Sequence, residues 1–148
     1  MNSFDYSIET VASPSLVWQI FSNWWLWPKF SDIYGEIRWA AGNAWEPGSR
    51  LRIEVVRPVR ISVEHVITAC VPEKRVGWID RGIGTTIEQW VYFEPIPVGT
   101  RVRTWAEFTG IAIVVAGRPI RQLLLNFTHD WYDAFQAECD RQAALPTP

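Results

Sequence analysis

Between Gly35 and Gly110 the chain reads as strand after strand, cut only by tight turns, and one long helical stretch follows. Candidate strands are 36–41, 49–57, 60–71, 75–81, 85–94 and 101–109. The punctuation is Glu46-Pro47-Gly48, Pro58, Pro72-Glu73-Lys74, Gly82 to Gly84, and Pro95 to Gly99. A parallel pair needs a crossover of a dozen residues or more, and no gap here is that long. Neighbouring strands must therefore pair antiparallel, as hairpins.

The two ends of the chain complete the pattern. Phe4, Tyr6 and Ile8 alternate with Asp5, Ser7 and Glu9, which predicts a half-buried strand over 3–11. Ser13-Pro14 then supplies a helix cap followed by proline at the first helical position. Leu16, Val17, Ile20 and Phe21 form its apolar stripe, and the helix should end near Asn23. Residues 24–35 are a short, heavily aromatic connection, irregular or helical, in which Pro28 disfavours helix at Trp27. After Gly110 comes a small apolar linker, then Arg118-Pro119 and a helix to about Ala143. Ile120, Leu123, Leu124, Phe127, Trp131, Ala134 and Phe135 recur along it at helical spacing. The expected class is α+β: a curved antiparallel sheet of about seven strands around a long C-terminal helix, with two short helices after strand 1.

A length of 148 residues suits one domain over 1–148, with a frayed tail at 144–148. The net charge is −2 and the basic residues are scattered, so nucleic acid is not an expected partner. No stretch is long and apolar enough to span a membrane, and Met1-Asn2-Ser3-Phe4-Asp5 lacks a signal-peptide pattern. The default expectation is a cytoplasmic protein. Cys70 and Cys139 are too few for a disulfide framework or a zinc ribbon and should be free thiols.

Side chains alternate along a strand, so the turns predict which residues share a face. A Gly82-Ile83 turn would pair Arg81 with Gly84 and put Trp78 opposite Ile87. The Pro95 to Gly99 loop would pair Phe93 with Val102, Trp90 with Trp105, Val91 with Thr104, and Gln89 with Ala106. One assignment reconciles these registers. The helix-facing side carries Trp39, Leu51, Ile53, Val63, His65, Ile67, Val76, Trp78, Asp80, Ile87, Gln89, Val91, Phe93, Thr104, Ala106 and Phe108. The other side carries Arg50, Arg52, Glu54, Glu64, Arg75, Glu88, Arg103 and Glu107, together with Trp90 and Trp105.

This pattern resembles the START-like, or helix-grip, SRPBCC superfamily, especially its polyketide cyclase/dehydrase and lipid-transport members. The likeness runs over residues 3–142. It is carried by the opening strand with Ala12-Ser13-Pro14-Ser15-Leu16-Val17-Trp18, by Trp27-Pro28-Lys29-Phe30, and by Pro47-Gly48 before a strand. Val71-Pro72-Glu73-Lys74-Arg75-Val76-Gly77-Trp78, Phe93-Glu94-Pro95 with Gly99-Thr100-Arg101-Val102, and a C-terminal helix bearing Glu138 complete it. The resemblance implies a seven-strand sheet gripping the helix, with a hydrophobic cavity between them. Members bind lipids, sterols, polyketides or other apolar ligands, and a few are enzymes. A fold alone does not transfer a function.

His65 and Asp80 are the candidate catalytic pair, set on a diagonal of adjacent strands, where they could work as general acid and base in a cyclase or dehydratase. Candidate ligand-binding residues are Trp27, Tyr34, Trp39, His65, Ile67, Trp78, Asp80, Gln89, Val91, Thr104, Phe108, Phe127 and Trp131. Ten tryptophans exceed what a core of this size needs, and four fall between Trp18 and Trp27. Trp24, Trp25 and Trp27 should form a lid or plug at one end of the cavity. Trp90 with Trp105 could instead mark a contact patch on the outer face, suited to a homodimer or another protein. His129 and Asp133 share a helix face at metal-ligand spacing, but two ligands do not make a site. No cofactor or metal is expected, and the expected partner is a hydrophobic small molecule.

Overall fold

A computed structural model describes residues 2–82 and 84–146. The elements are β1 (Ser3–Thr10), α1 (Pro14–Ser22), a single 3-10 turn (Trp24–Leu26), α2 (Trp27–Phe30), β2 (Tyr34–Ala41), β3 (Arg50–Val55), β4 (Ile61–Val71), β5 (Arg75–Gly82), β6 (Thr85–Ile96), β7 (Gly99–Thr109) and α3 (Ile111–Ala143). The seven strands form one antiparallel sheet in the order β1-β7-β6-β5-β4-β3-β2. The chain starts at one edge, crosses to the other through α1 and α2, and returns by hairpins. No described helix is long and apolar enough to cross a membrane.

Each element has a local cause. The Ser13 hydroxyl accepts from the Leu16 N–H and caps α1, with Pro14 at its first position. Val17, Ile20 and Phe21 bury the face of α1 that lies on the core. Thr10 Oγ1 donates to Asp140 Oδ1 at 2.5 Å, and the Val11 N–H donates to the same oxygen at 3.1 Å. These bonds pin the end of β1 to the last turns of α3. The larger core cluster includes Phe21, Trp27, Trp45, Trp78, Phe93, Trp131 and Phe135. A smaller one joins Phe4, Ala106, Phe108 and Ile113 under the start of α3.

Three local expectations need correction. The β5–β6 register is two residues away from the expected one: Gly82 pairs with Thr85, and Trp78 faces Gln89 rather than Ile87. The turn is therefore centred on 83–84, with Gly84 in the left-handed region at φ 71°. Ile83 itself lies outside the described residues, as do 147 and 148 of the expected frayed tail. A shift of two keeps every side chain on its face, so the face assignment is unaffected. The stretch after Gly110 is helix rather than linker, broken only by a kink at Ala116 (φ −137°, ψ 37°). Pro119 falls in the first turn after that kink, where proline is tolerated. Trp27 is helical despite preceding a proline (φ −54°, ψ −44°). Its ring is buried and its Nε1–H donates to the Phe21 carbonyl at 3.0 Å, so packing overrides the local preference.

Candidate functional site

Between the concave face of the sheet and α3 lies a cavity of about 620 Å³. Phe21 from α1, Trp27 from α2 and Tyr34 from β2 close one end. Ile53, Val63, Trp78, Ile87 and Ala106 form the sheet wall. Leu124, Phe127, Thr128, Trp131 and Tyr132 come from α3. Rings dominate the closed end. Trp27 and Trp131 lie 4.9 Å apart between centroids, and Tyr34 meets Trp131 edge-on at 4.9 Å.

Polar groups cross this apolar space at two places. His65 Nδ1 and Asp80 Oδ1 are in direct hydrogen-bond contact. The β4–β5 pairing of Val66 with Ile79, continued by one residue, sets His65 directly across from Asp80 rather than on a diagonal. The imidazole stacks on the Trp78 indole at 4.7 Å and 18°, which fixes its plane. Both polar side chains are largely buried, at 13% and 17% exposure. Farther along, Gln89 Nε2 donates to Thr104 Oγ1 at 2.9 Å, and that hydroxyl donates to the Trp90 carbonyl at 3.1 Å.

Two buried tyrosines complete the polar lining. Burial pushes the Tyr34 hydroxyl well above the ordinary tyrosine range, and its electrostatic coupling to the neighbouring Tyr132 and Asp80 acts in the same direction. Burial raises Tyr132 as well, while the Thr104 hydroxyl beside it pulls partly the other way. Both phenols therefore stay protonated, each able to donate and accept.

Of the sequence-predicted residues, Trp27, Tyr34, His65, Trp78, Asp80, Gln89, Phe127 and Trp131 line the cavity. Trp39, Ile67, Val91, Thr104 and Phe108 do not reach it. Trp39 stands edge-on to Trp24 and Trp45. Ile67, Val91 and Phe108 are buried in the core, and Thr104 sits behind Gln89. Phe4, Thr128 and Tyr132 belong to the lining but escaped the sequence reading. For the last two a signal existed. Leu124, Thr128 and Tyr132 are successive i, i+4 positions on the same stripe of α3.

The mouth lies between the β3–β4 turn, the β5–β6 turn and α3. Pro58, Val59, Ile61, Arg81, Gly82, Thr85 and Leu123 rim it. Arg52 and Glu64, paired across β3 and β4, also reach this rim. Val59, Ile61 and Leu123 are 53%, 50% and 44% exposed. A clasp spans one side. Arg57 donates to Asp32 Oδ1 from Nε at 3.1 Å and from Nη2 at 2.8 Å, and its Nη1 lies 3.6 Å from Asp130 Oδ2 on α3.

The other sequence candidates lie outside the cavity. Trp90 and Trp105 pair directly on the outer face of β6 and β7. The Trp90 ring lies over Gly77, where a Cβ would sit 2.9 Å from it. His129 stacks on Tyr6 at 4.2 Å, and Asp133 accepts from the Tyr6 hydroxyl at 2.6 Å. Both are thus engaged with β1. No metal-binding cluster occurs among the described residues. Cys70 and Cys139 are free.

No protein-family model and no curated protein matches the sequence. Solved structures do. A START superfamily protein from Mycobacterium smegmatis superposes with a TM-score of 0.78 at 13% identity, over 95% of this chain and 98% of that one. The fold is START-like. Ara h 8.0201 also matches, with a TM-score of 0.78 at 15% identity, over 93% of this chain and 96% of that one. The di-domain ARO/CYC StfQ of the steffimycin biosynthetic pathway matches at TM-score 0.78 and 12% identity, over 97% of this chain and 52% of that one. In this START-like domain the sheet grips α3, as the resemblance implied. At these identities the likeness establishes the fold alone.

Proposed function

We propose that the protein binds a hydrophobic small molecule in the cavity between the sheet and α3, as a binding or transport module. The observation that carries this reading is the cavity itself. A void of about 620 Å³ has the volume of a ligand site rather than of a packing defect. Its walls are aromatic and aliphatic, its polar groups are few and grouped, and its mouth opens beside exposed Val59, Ile61 and Leu123. Structural neighbours that include a START superfamily protein and an ARO/CYC support hydrophobic ligands in general. Native mass spectrometry after gentle purification tests the reading. A retained species of small-molecule mass is expected, lost on cavity filling. Persistent absence of any bound mass, with no uptake of added apolar compounds, overturns it.

The His65–Asp80 contact favours a second reading, an acid–base enzyme of cyclase or dehydratase type. A histidine held by a carboxylate and aimed at an apolar space has the form of a general acid or base. Such an enzyme loses turnover in His65→Ala while still binding its ligand. A binding module instead shows no chemical change in the bound molecule.

A further inference from the structure

We propose that the start of α3 is a docking tip for an anionic lipid surface. Ile111, Val114 and Val115 enter the headgroup boundary, and Arg118 and Arg121 meet the anionic headgroups. The inference concerns the outside of the molecule and does not depend on what the cavity holds.

The first observation is an apolar face left in the open. Ile111, Val114 and Val115 are 73%, 85% and 81% exposed. Helix geometry groups them. Each residue advances about 100° around the axis, so these three fall within an arc of about 100° opposite Ile113. Ile113 is buried against Phe4, Ala106 and Phe108, which turns the other three outward. The Ala112 N–H donates to the Gly84 carbonyl at 2.9 Å, so this turn of helix is held on the β5–β6 turn. That hairpin also rims the cavity mouth, where Val59 and Ile61 are exposed. One exposed aliphatic side chain is ordinary, but three on one arc form a patch.

The second observation is charge. From Phe108 to His129 the chain carries Arg118 and Arg121 and no aspartate or glutamate. Neither arginine has an ion pair among the described residues, and neither does exposed Arg81 near the β5–β6 turn. Elsewhere Arg57, Arg101 and Arg141 each stand beside a carboxylate. In a chain of net charge −2, a segment whose only full charges are positive is a local reversal of sign.

Together the two properties select the occupant. A lipid surface takes aliphatic side chains into the headgroup boundary, while long arginine side chains reach its anionic headgroups. A second copy of this chain fits worse, because a twofold contact brings the same uncompensated arginines together. Nucleic acid would answer the arginines and leave the valines in water.

The test is flotation with vesicles of phosphatidylcholine, alone or with about 30% phosphatidylserine, and no added ligand. Each arginine near an anionic surface is worth about fivefold in binding, so the mixed vesicles should hold the protein at least about tenfold more tightly than the neutral ones. High salt should erase most of that preference. Arg118→Gln with Arg121→Gln should bring binding to the mixed vesicles down toward the neutral level. Val114→Gln with Val115→Gln should weaken binding to both vesicle types by about tenfold or more. Both valines are surface groups, so the thermal midpoint should hold; if it does not, the arginine pair decides. No attachment to either vesicle type, equal attachment to both, or attachment unchanged in both variants overturns the inference. So does a concentration-dependent dimer, seen by sedimentation equilibrium, that the valine substitutions dissolve.

Discussion

His65 and Asp80 meet face to face across β4 and β5, inside a largely apolar cavity, with the Trp78 indole stacked beneath the imidazole. Their contact is shielded from solvent, so each depends on the other. Removing one partner leaves the second buried without its hydrogen bond, which costs about 1–3 kcal/mol, whereas replacing both can be nearly neutral. Asp80→Leu and His65→Leu should each lower stability to chemical denaturation, and the double substitution should recover much of the loss. A double-mutant cycle with a coupling under about 0.5 kcal/mol would show that the contact contributes little.

Filling the cavity should separate binding from folding. Ile87 on β6 lines the cavity wall and is half-buried, packed on one side against the cluster of Phe4, Ala106 and Phe108. Ile87→Trp keeps an apolar group on that cluster and extends an indole into the cavity. Ligand affinity should fall by about tenfold or more, since lost ligand contacts are large compared with the overpacking penalty of a filled core. The thermal midpoint should hold or rise. A fall in the midpoint with affinity intact would mean that the site is packed core.

The Arg57 clasp should govern access rather than stability. It joins the start of the β3–β4 turn to Asp32 and to Asp130 on α3, across one side of the mouth. All three side chains are substantially exposed, so their ion pairs add little to the folded state and weaken with salt. Arg57→Ala should leave the denaturation midpoint almost unchanged and speed ligand release in stopped-flow displacement. Raising the salt concentration should accelerate wild-type release toward the variant's rate. Identical release rates at low salt would remove the clasp from the entry path.

Tyr6 gives a pH signature on the opposite side of α3. Its hydroxyl donates to Asp133, and this bond with burial and the carboxylate charge raises the Tyr6 pKa from 10.0 to about 12. The folded state thus holds the proton more tightly than the unfolded chain. The stabilisation is fully present below pH 10 and disappears as the pH rises through about 12. Denaturation of wild type and Tyr6→Phe should differ by a constant amount at neutral pH. The gap should close across that alkaline window, and a gap independent of pH would count against the bond.

Much of this architecture is legible in the sequence because side chains on strands alternate. The loop from Pro95 to Gly99 leaves one sensible register, and it places Trp90 against Trp105 and Val91 against Thr104, as found. The turn near Gly82 offers two glycines, Gly82 and Gly84, and local pattern does not choose between them. The start of α3 reads as a linker because Gly117 and Pro119 look like breakers. The kink at Ala116 absorbs both and helix persists on either side. The site is partly visible: His65 and Asp80 stand out as polar residues on an apolar face and Tyr34 reads as an aromatic candidate, but the direct pairing of His65 with Asp80 needs the true β4–β5 register. The Arg57 clasp has no sequence signal, since residues 32, 57 and 130 meet only through the closed fold.

The outer face yields a last prediction, on Gly77. Strand β5 would ordinarily carry a side chain there, opposite Trp90 on β6. A Cβ at that position would lie 2.9 Å from three atoms of the Trp90 ring, closer than van der Waals contact allows. The missing side chain is what lets the indole lie flat across the strand, stacked with Tyr92 at 6.1 Å and 16° and donating from Nε1 to Glu88 at 3.1 Å. Gly77→Ala must push that ring off its seat, so it should cost about 1–3 kcal/mol despite the higher strand propensity of alanine. The penalty should vanish when Trp90 is replaced by leucine, because the clash then has no second partner. Equal destabilisation in both backgrounds would trace the effect to the β5 backbone instead of the ring. Ligand binding should be unchanged throughout, since Gly77 and Trp90 face away from the cavity.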